Sequence, residues 1–133
     1  MNKILQIDAN RRGLHEFTTE VARVVAASDV EDGLCTLFIR HTSASLLIQE
    51  NADPSARHDL EQWLDRLVVR DDPLYTHCNE GPDDMPGHIK SMLTQTSLSI
   101  PVMDGRLVLG SWQGIFLWEH RDHAGPRQIV CHL

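Results

Sequence analysis

The sequence predicts an α+β fold: antiparallel β-sheets in a sandwich-like arrangement with two or three helices, in one domain over residues 1–133. Three observations predict it. Strand-like segments come in runs and do not alternate one-for-one with helices, which favours antiparallel sheets over βαβ units. Two Asp-Gly turn signals, Asp32-Gly33 and Asp104-Gly105, punctuate those runs. The chain has 133 residues, 41% of them hydrophobic, with no repeat or low-complexity tract, which suits a single core.

The elements follow in order. Residues 3–8 alternate as a first strand. Thr19–Ala27 reads as a short helix or a strand, because Val21, Val24 and Val25 have helical spacing while the β-branched content favours extension. After the Asp32-Gly33 turn, Leu34–Arg40 is a strand. Cys35, Leu37 and Ile39 share one of its faces, and His41 continues that face by period two. Ser45–Glu50 is the next strand. Asp53 is a good N-cap and Pro54 a good first helical residue. The helix they start has Ala56, Leu60, Trp63, Leu64 and Leu67 on an apolar face and ends near Val68. Residues 71–88 form a long polar loop, a length more often functional than passive. Asp84 is placed to cap a second helix from Met85 to about Gln95, with Pro86 in its first turn and Gly87 weakening the start slightly. Ser97–Met103 and Arg106–Leu109 flank the second Asp-Gly turn as a hairpin. Gly114–Glu119 and Gln128–Leu133 complete six or seven strands.

The formal charge is −7, which argues against nucleic acid and anionic membrane surfaces as partners, since both need a Lys/Arg surplus. A small phosphorylated metabolite needs only one local cationic cluster and stays open. Cys35, Cys78 and Cys131 are too few and too scattered for a disulfide framework or a zinc knuckle. A reducing, cytoplasmic location is the simplest expectation. The N-terminal stretch has no apolar signal-peptide core, and no apolar run is long enough to span a bilayer.

Four clusters could carry chemistry. In His41-Thr42-Ser43-Ala44-Ser45, hydroxyls and backbone N–H groups could hold an anion; a satisfied turn beside a packed histidine is the plainer reading. Glu50, Asn51 and Asp53 lie at a helix N-terminus, where the dipole favours an anion, although capping alone explains Asp53. The long loop carries His77, Asn79, Glu80, Asp83, Asp84 and His88. These could ligate a divalent metal, zinc by the imidazoles or magnesium by the carboxylates, or could form a solvated acidic loop. Lys90, one turn on, could offset a carboxylate or contact a phosphate. In Gly110–Gly114, Gln113 could orient a ligand and Trp112 could wall a pocket. Glu119 falls on an apolar strand face, so it requires a histidine, cation or metal partner. His120, His123 and His132 read as packing or surface residues. No P-loop, dinucleotide fingerprint, HExxH or nucleophile elbow is present.

Several stretches occur in one order: His41-Thr-Ser-Ala-Ser-Leu, Glu50-Asn-Ala-Asp-Pro, Arg57-His-Asp-Leu-Glu, Tyr75-Thr-His-Cys-Asn-Glu-Gly-Pro-Asp-Asp-Met-Pro-Gly-His-Ile-Lys90, Pro101-Val-Met-Asp-Gly-Arg106 and Leu109-Gly-Ser-Trp-Gln-Gly-Ile115. Together they resemble the YjbQ family across nearly the whole chain. The resemblance implies a homotrimer with a histidine and carboxylate pocket near subunit contacts. It also implies weak thiamine phosphate synthase activity, credited to some members, in which a pyrimidine diphosphate joins a thiazole phosphate and releases pyrophosphate. Carried onto this sequence, the site residues are His41, His77, His88, Glu80 and Glu119 as catalytic groups. Thr42, Ser43, Ser45, Asn51, Asp53, Lys90 and Gln113 would hold ligand, and His41, His77 and His88 would hold any metal. Two other readings stand beside the synthase: a metal-dependent hydrolase on the same ligands, and a non-catalytic trimeric binding module for a small anionic metabolite.

Overall fold

The structure, a computed structural model, describes all 133 residues. Eight strands and three helices run in the order β1 (Asn2–Ile7), β2 (Gly13–Glu16), α1 (Thr18–Ala26), β3 (Gly33–Ile39), β4 (Ala44–Glu50), α2 (Pro54–Leu67), α3 (Asp84–Leu93), β5 (Ser97–Met103), β6 (Arg106–Leu107), β7 (Gln113–Glu119) and β8 (Arg127–His132). Every strand pairing is antiparallel. One sheet has five strands in the order β1-β8-β3-β5-β6, the other three in the order β2-β7-β4.

The ambiguous segment after Phe17 is a helix: Val21, Val24 and Val25 turn one face into the core and are buried there. The core between the sheets draws Cys35, Leu37 and Ile39 from β3, Ile115 and Leu117 from β7, and Ile129 and Cys131 from β8. A smaller cluster on the other face of β7 holds Phe116 and Trp118 with Leu14 and with Leu64 of α2. This explains the unbroken apolar run in β7, since a strand covered on both faces has no face to give to water.

Pro54 opens α2, and the Asp53 carboxylate accepts a hydrogen bond from the Ser55 N–H at 2.9 Å. That bond holds the Asp53 carboxyl below its usual range. Asp53→Ala is therefore expected to lower Tm by a few degrees while leaving the far-UV helix signal of the folded protein in place. The helix ends at Val68, as its spacing indicates. Its apolar face differs from the expectation: only Leu64 is buried, while Trp63 and Leu67 are 56% and 54% exposed. The broad apolar stripe meets the sheet along one edge alone.

Other boundaries shift as well. Gly13–Glu16 forms a strand although it is too short and polar for its sequence to mark one. β6 is two residues long: the Val108 N–H still donates to Pro101 O, but the proline opposite it has no N–H to return and the ladder ends there. α3 stops at Leu93, with the Thr94 hydroxyl bonded back to Lys90 O. Asp84 does not cap α3. It is the first helical residue, and its side chain has other partners. No helix is long and apolar enough to cross a membrane.

Candidate metal centre

Residues 69–83 leave α2, run over the surface and return the chain to α3. His77 stands on this segment, half-exposed; Asp84 and His88 stand one turn apart on α3 and so face the same way. His77 Nε2 lies 2.8 Å and His88 Nε2 3.1 Å from the same oxygen, Asp84 Oδ2. The three donor atoms fall within 4.8 Å of one another. The Asp84 side chain is only 3% exposed, whereas that of His77 is 50% exposed, so the cluster is seated at its base and open on one side.

The hydrogen bonding of His88 decides what this arrangement requires. Its Nδ1 is 2.9 Å from Thr42 O, and a carbonyl oxygen can only accept, so Nδ1 carries the proton. In the neutral ring Nε2 then presents a lone pair to a carboxylate oxygen that presents another. A second proton on His88, or a cation shared by His77, Asp84 and His88, resolves that opposition. A backbone carbonyl holding the distal N–H is also how metal-ligating histidines are oriented. At Gly87 α3 lies close to Ser43 and His120: a Cβ there would sit in ordinary contact, 3.4 Å from Ser43 Cβ and 3.6 Å from His120 Cβ.

Arg121, just after β7, binds the other side of the acidic pair. Its Nη1 is 3.1 Å from Asp84 Oδ1, its Nε 3.2 Å from Asp83 Oδ2, and its Nη2 donates to Glu80 O at 2.7 Å. Asp83 is held below the usual carboxyl range against the opposing effect of its burial, by Arg121 and by the Asp122 N–H. Beside His77 runs a groove of about 420 Å³, walled by Arg70, Tyr75, Cys78, Met85 and Pro86. Arg70, at its rim, makes a two-bonded pair with Asp122 at 2.9 and 2.6 Å.

The other expected site residues lie elsewhere. His41 is not a partner of His77 and His88: its Nε2 accepts the Gln128 N–H at 2.8 Å, and its Nδ1 faces Arg127 Nη1 at 3.3 Å. Burial, then the Arg127 charge, lowers its pKa. His41 Nε2 is thus already engaged, and the groups the structure brings together beside His77 and His88 are these two histidines and Asp84. Glu119 has the partner its position demands, and that partner is a cation: Arg127 grips both carboxylate oxygens. Arg127 also donates to Ser43 Oγ at 3.0 Å, and Ser45 Oγ is 2.8 Å from His120 Nε2, so both serine hydroxyls are buried and engaged, not free for an anion. Thr42 contributes its carbonyl to His88.

Lys90 is buried against Asp65, Asn51 donates to Glu16, and Gln113 Oε1 accepts the Gly110 N–H, each satisfied within the fold. The side chain of Glu80 is exposed. Asp84 stands in the sequence both as a helix cap and among the possible metal ligands of the loop, and its i, i+4 spacing to His88 is the signal that favours the second. Arg121 and the buried His120 give no such signal, because their side-chain partners lie 37 to 75 positions away; Arg127 lies eight positions from Glu119, whose need for a partner the sequence marks without saying which cation meets it.

Comparisons with known proteins agree along the whole chain. The sequence profile of the family described as UPF0047 protein YjbQ-like matches residues 3–133. The chain is 51% identical over 131 residues to a UPF0047 protein of Synechocystis, covering 98% of this chain and 89% of that one. It is 48% identical over 132 residues to the UPF0047 protein YjbQ of Escherichia coli O157:H7, covering 98% and 95%. Among solved structures, a conserved hypothetical protein from Thermus thermophilus superposes with a TM-score of 0.87 at 34% identity, covering 98% of each chain. A YbjQ-like protein of unknown function from Sulfolobus solfataricus reaches a TM-score of 0.90 at 22% identity, covering 98% and 94%, a likeness of fold.

Proposed function

The chain belongs to the YjbQ-like UPF0047 family, and from that premise we propose that it is a metal-dependent enzyme acting on a small phosphorylated metabolite, with His77, Asp84 and His88 as the metal ligands. The observation that carries the reading is the convergence of two imidazole nitrogens on Asp84 Oδ2, with His88 oriented by Thr42.

The donor set fits zinc better than magnesium. Two neutral imidazoles and one carboxylate oxygen are borderline ligands, and three protein ligands with an open side are the pattern of catalytic zinc. Bound there, the ion would supply positive charge for a phosphate or diphosphate oxygen and an acidified water. The protein's own contributions are orientation and exclusion: Thr42 fixes the His88 ring, Arg121 fixes Asp84, and the groove beside His77 gives the substrate a wall on which to lie. The reactions this suits are those in which phosphate or diphosphate departs. Weak thiamine phosphate synthesis is one, and hydrolysis of a phosphate ester is another. Lys90 and the Ser43 and Ser45 hydroxyls have no part in this version, because each is buried against an internal partner. Assembly as a homotrimer comes with the proposal from the family resemblance.

The test is metal content and turnover of protein purified without an affinity tag. About one equivalent of zinc per chain is expected. His77→Ala and His88→Ala should each weaken zinc by more than the roughly 10- to 100-fold that loss of a supporting hydrogen bond costs. His41→Ala should keep the zinc. Pyrophosphate release from the pyrimidine diphosphate, and hydrolysis of phosphorylated metabolites, should both be chelator-sensitive. Metal without turnover would leave the non-catalytic binding module. Wild-type protein that takes up no divalent ion in titration would end the metal reading altogether.

A further inference from the structure

The geometry points to Arg121 as the residue that sets the metal selectivity of the His77–Asp84–His88 site, an inference that rests on the metal reading above. Asp84 has two carboxylate oxygens, and the structure divides them. Oδ2 faces both histidines, while Oδ1 is held at 3.1 Å by Arg121 Nη1. Arg121 is not free to release it. Its Nη2 donates to Glu80 O at 2.7 Å, its Nε is 3.2 Å from Asp83 Oδ2, and its backbone N–H donates to Glu119 Oε2 at 3.1 Å. The residue is thus anchored to the loop, the helix start and the end of β7 at once.

Two consequences follow for an ion at the site. It can take only one oxygen from Asp84, so the protein offers two nitrogens and one oxygen. That set suits a four-coordinate ion such as zinc. Manganese and magnesium prefer octahedral shells dominated by oxygen and gain from every further carboxylate oxygen. Arg121 also offsets the charge of Asp83 and Asp84, which otherwise would make the site attractive to hard cations in general. Replacing it frees Oδ1 to swing towards the ion and leaves both carboxylates uncompensated.

The experiment is calorimetric titration of tag-free protein with zinc and, separately, with manganese, for wild type and Arg121→Gln. Removing a positive charge changes the affinity for both divalent ions in common, and that change cancels in their ratio. The ratio of zinc to manganese affinity is expected to fall about tenfold in Arg121→Gln. Asp83→Asn is the companion variant: it loosens the same corner but leaves Arg121 on Asp84, and its ratio should match wild type. Melting temperatures confirm that both variants are folded. An unchanged ratio in Arg121→Gln overturns the inference while the metal reading stands. An equal drop in Asp83→Asn overturns it too, because general loosening would then be the cause. Wild type that binds neither ion overturns the metal reading and this inference together, and that result is read before any variant is made.

Discussion

Glu119→Ala is expected to destabilise the protein by roughly 3–5 kcal/mol, the cost of leaving one member of a buried ion pair without the other. Glu119 is 0% exposed, and Arg127 approaches it with Nε at 2.7 Å and Nη2 at 2.5 Å. The same guanidinium reaches Ser43 and His41. Remove the carboxylate, and a guanidinium remains among β4, β7 and β8 with only neutral acceptors. For a chain of this size the loss corresponds to a fall in Tm of about 10–20 °C. Thermal and urea denaturation read it directly. A fall of only a degree or two would mean that water reaches Arg127 and that the pair contributes little. The experiment also separates two roles for Glu119. A residue acting in the chemistry would lose turnover at constant stability, whereas a strut between β7 and β8 would lose stability first.

Acid should unfold the protein through a histidine that never meets a ligand. His120 is buried at the end of β7, with Nε2 on Ser45 Oγ and Nδ1 without a partner. Burial first, then the charges of Lys90 and Arg127, pushes its pKa down to about 3 from 6.5. The native state therefore keeps His120 neutral where the unfolded chain would protonate it. The unfolded state binds more protons in that interval, so stability rises with pH. The contribution is complete above the unfolded value near 6.5 and is lost as pH falls from there towards 3. Its size is on the order of 5 kcal/mol if the whole interval is crossed. His41, also lowered, pulls the same way. The depressed Asp83 and Asp122 contribute in a lower window, below the ordinary carboxyl range. Urea melts at pH 7, 5.5 and 4.5 should show a steady loss in wild type and a shallower one in His120→Gln. Parallel slopes would mean that the imidazole is hydrated in the native state.

The sequence makes some of this legible for local reasons. Asp53-Pro54 marks a helix start by capping chemistry alone. Asp104-Gly105 turns the chain with φ of 50° and 71°, both in the left-handed region that this dipeptide tolerates. The run Gly114–Glu119 reads as a strand, and that both its faces are covered emerges only from the fold. Burial that depends on a partner is less visible: Trp63 and Leu67 share the spacing of Leu64, yet only Leu64 meets the sheet. The site is legible in proportion to sequence distance. His77, Asp84 and His88 lie within twelve positions, and that closeness marks the histidines. His41 enters with them through its place in a motif, and no local rule can show that Gln128, 87 positions on, takes its nitrogen. Asp84 is named among the loop's possible ligands, but a capping pattern accounts for it equally well in sequence. Arg121 and Arg127 look like ordinary surface cations until the fold places carboxylates beside them.

The pairing of β1 with β8 has a bearing on how the chain reaches this state. Asn2 lies opposite His132, and Ile7 opposite Arg127. A chain emerging in order from the ribosome makes β1 first and its only ladder partner last. Until β8 arrives, β1 has no hydrogen-bonding neighbour and β3 has one open side. The large sheet is therefore completed only once β8 has been made, by contacts of the greatest sequence separation, which is the circumstance that slows folding and lengthens exposure to aggregation.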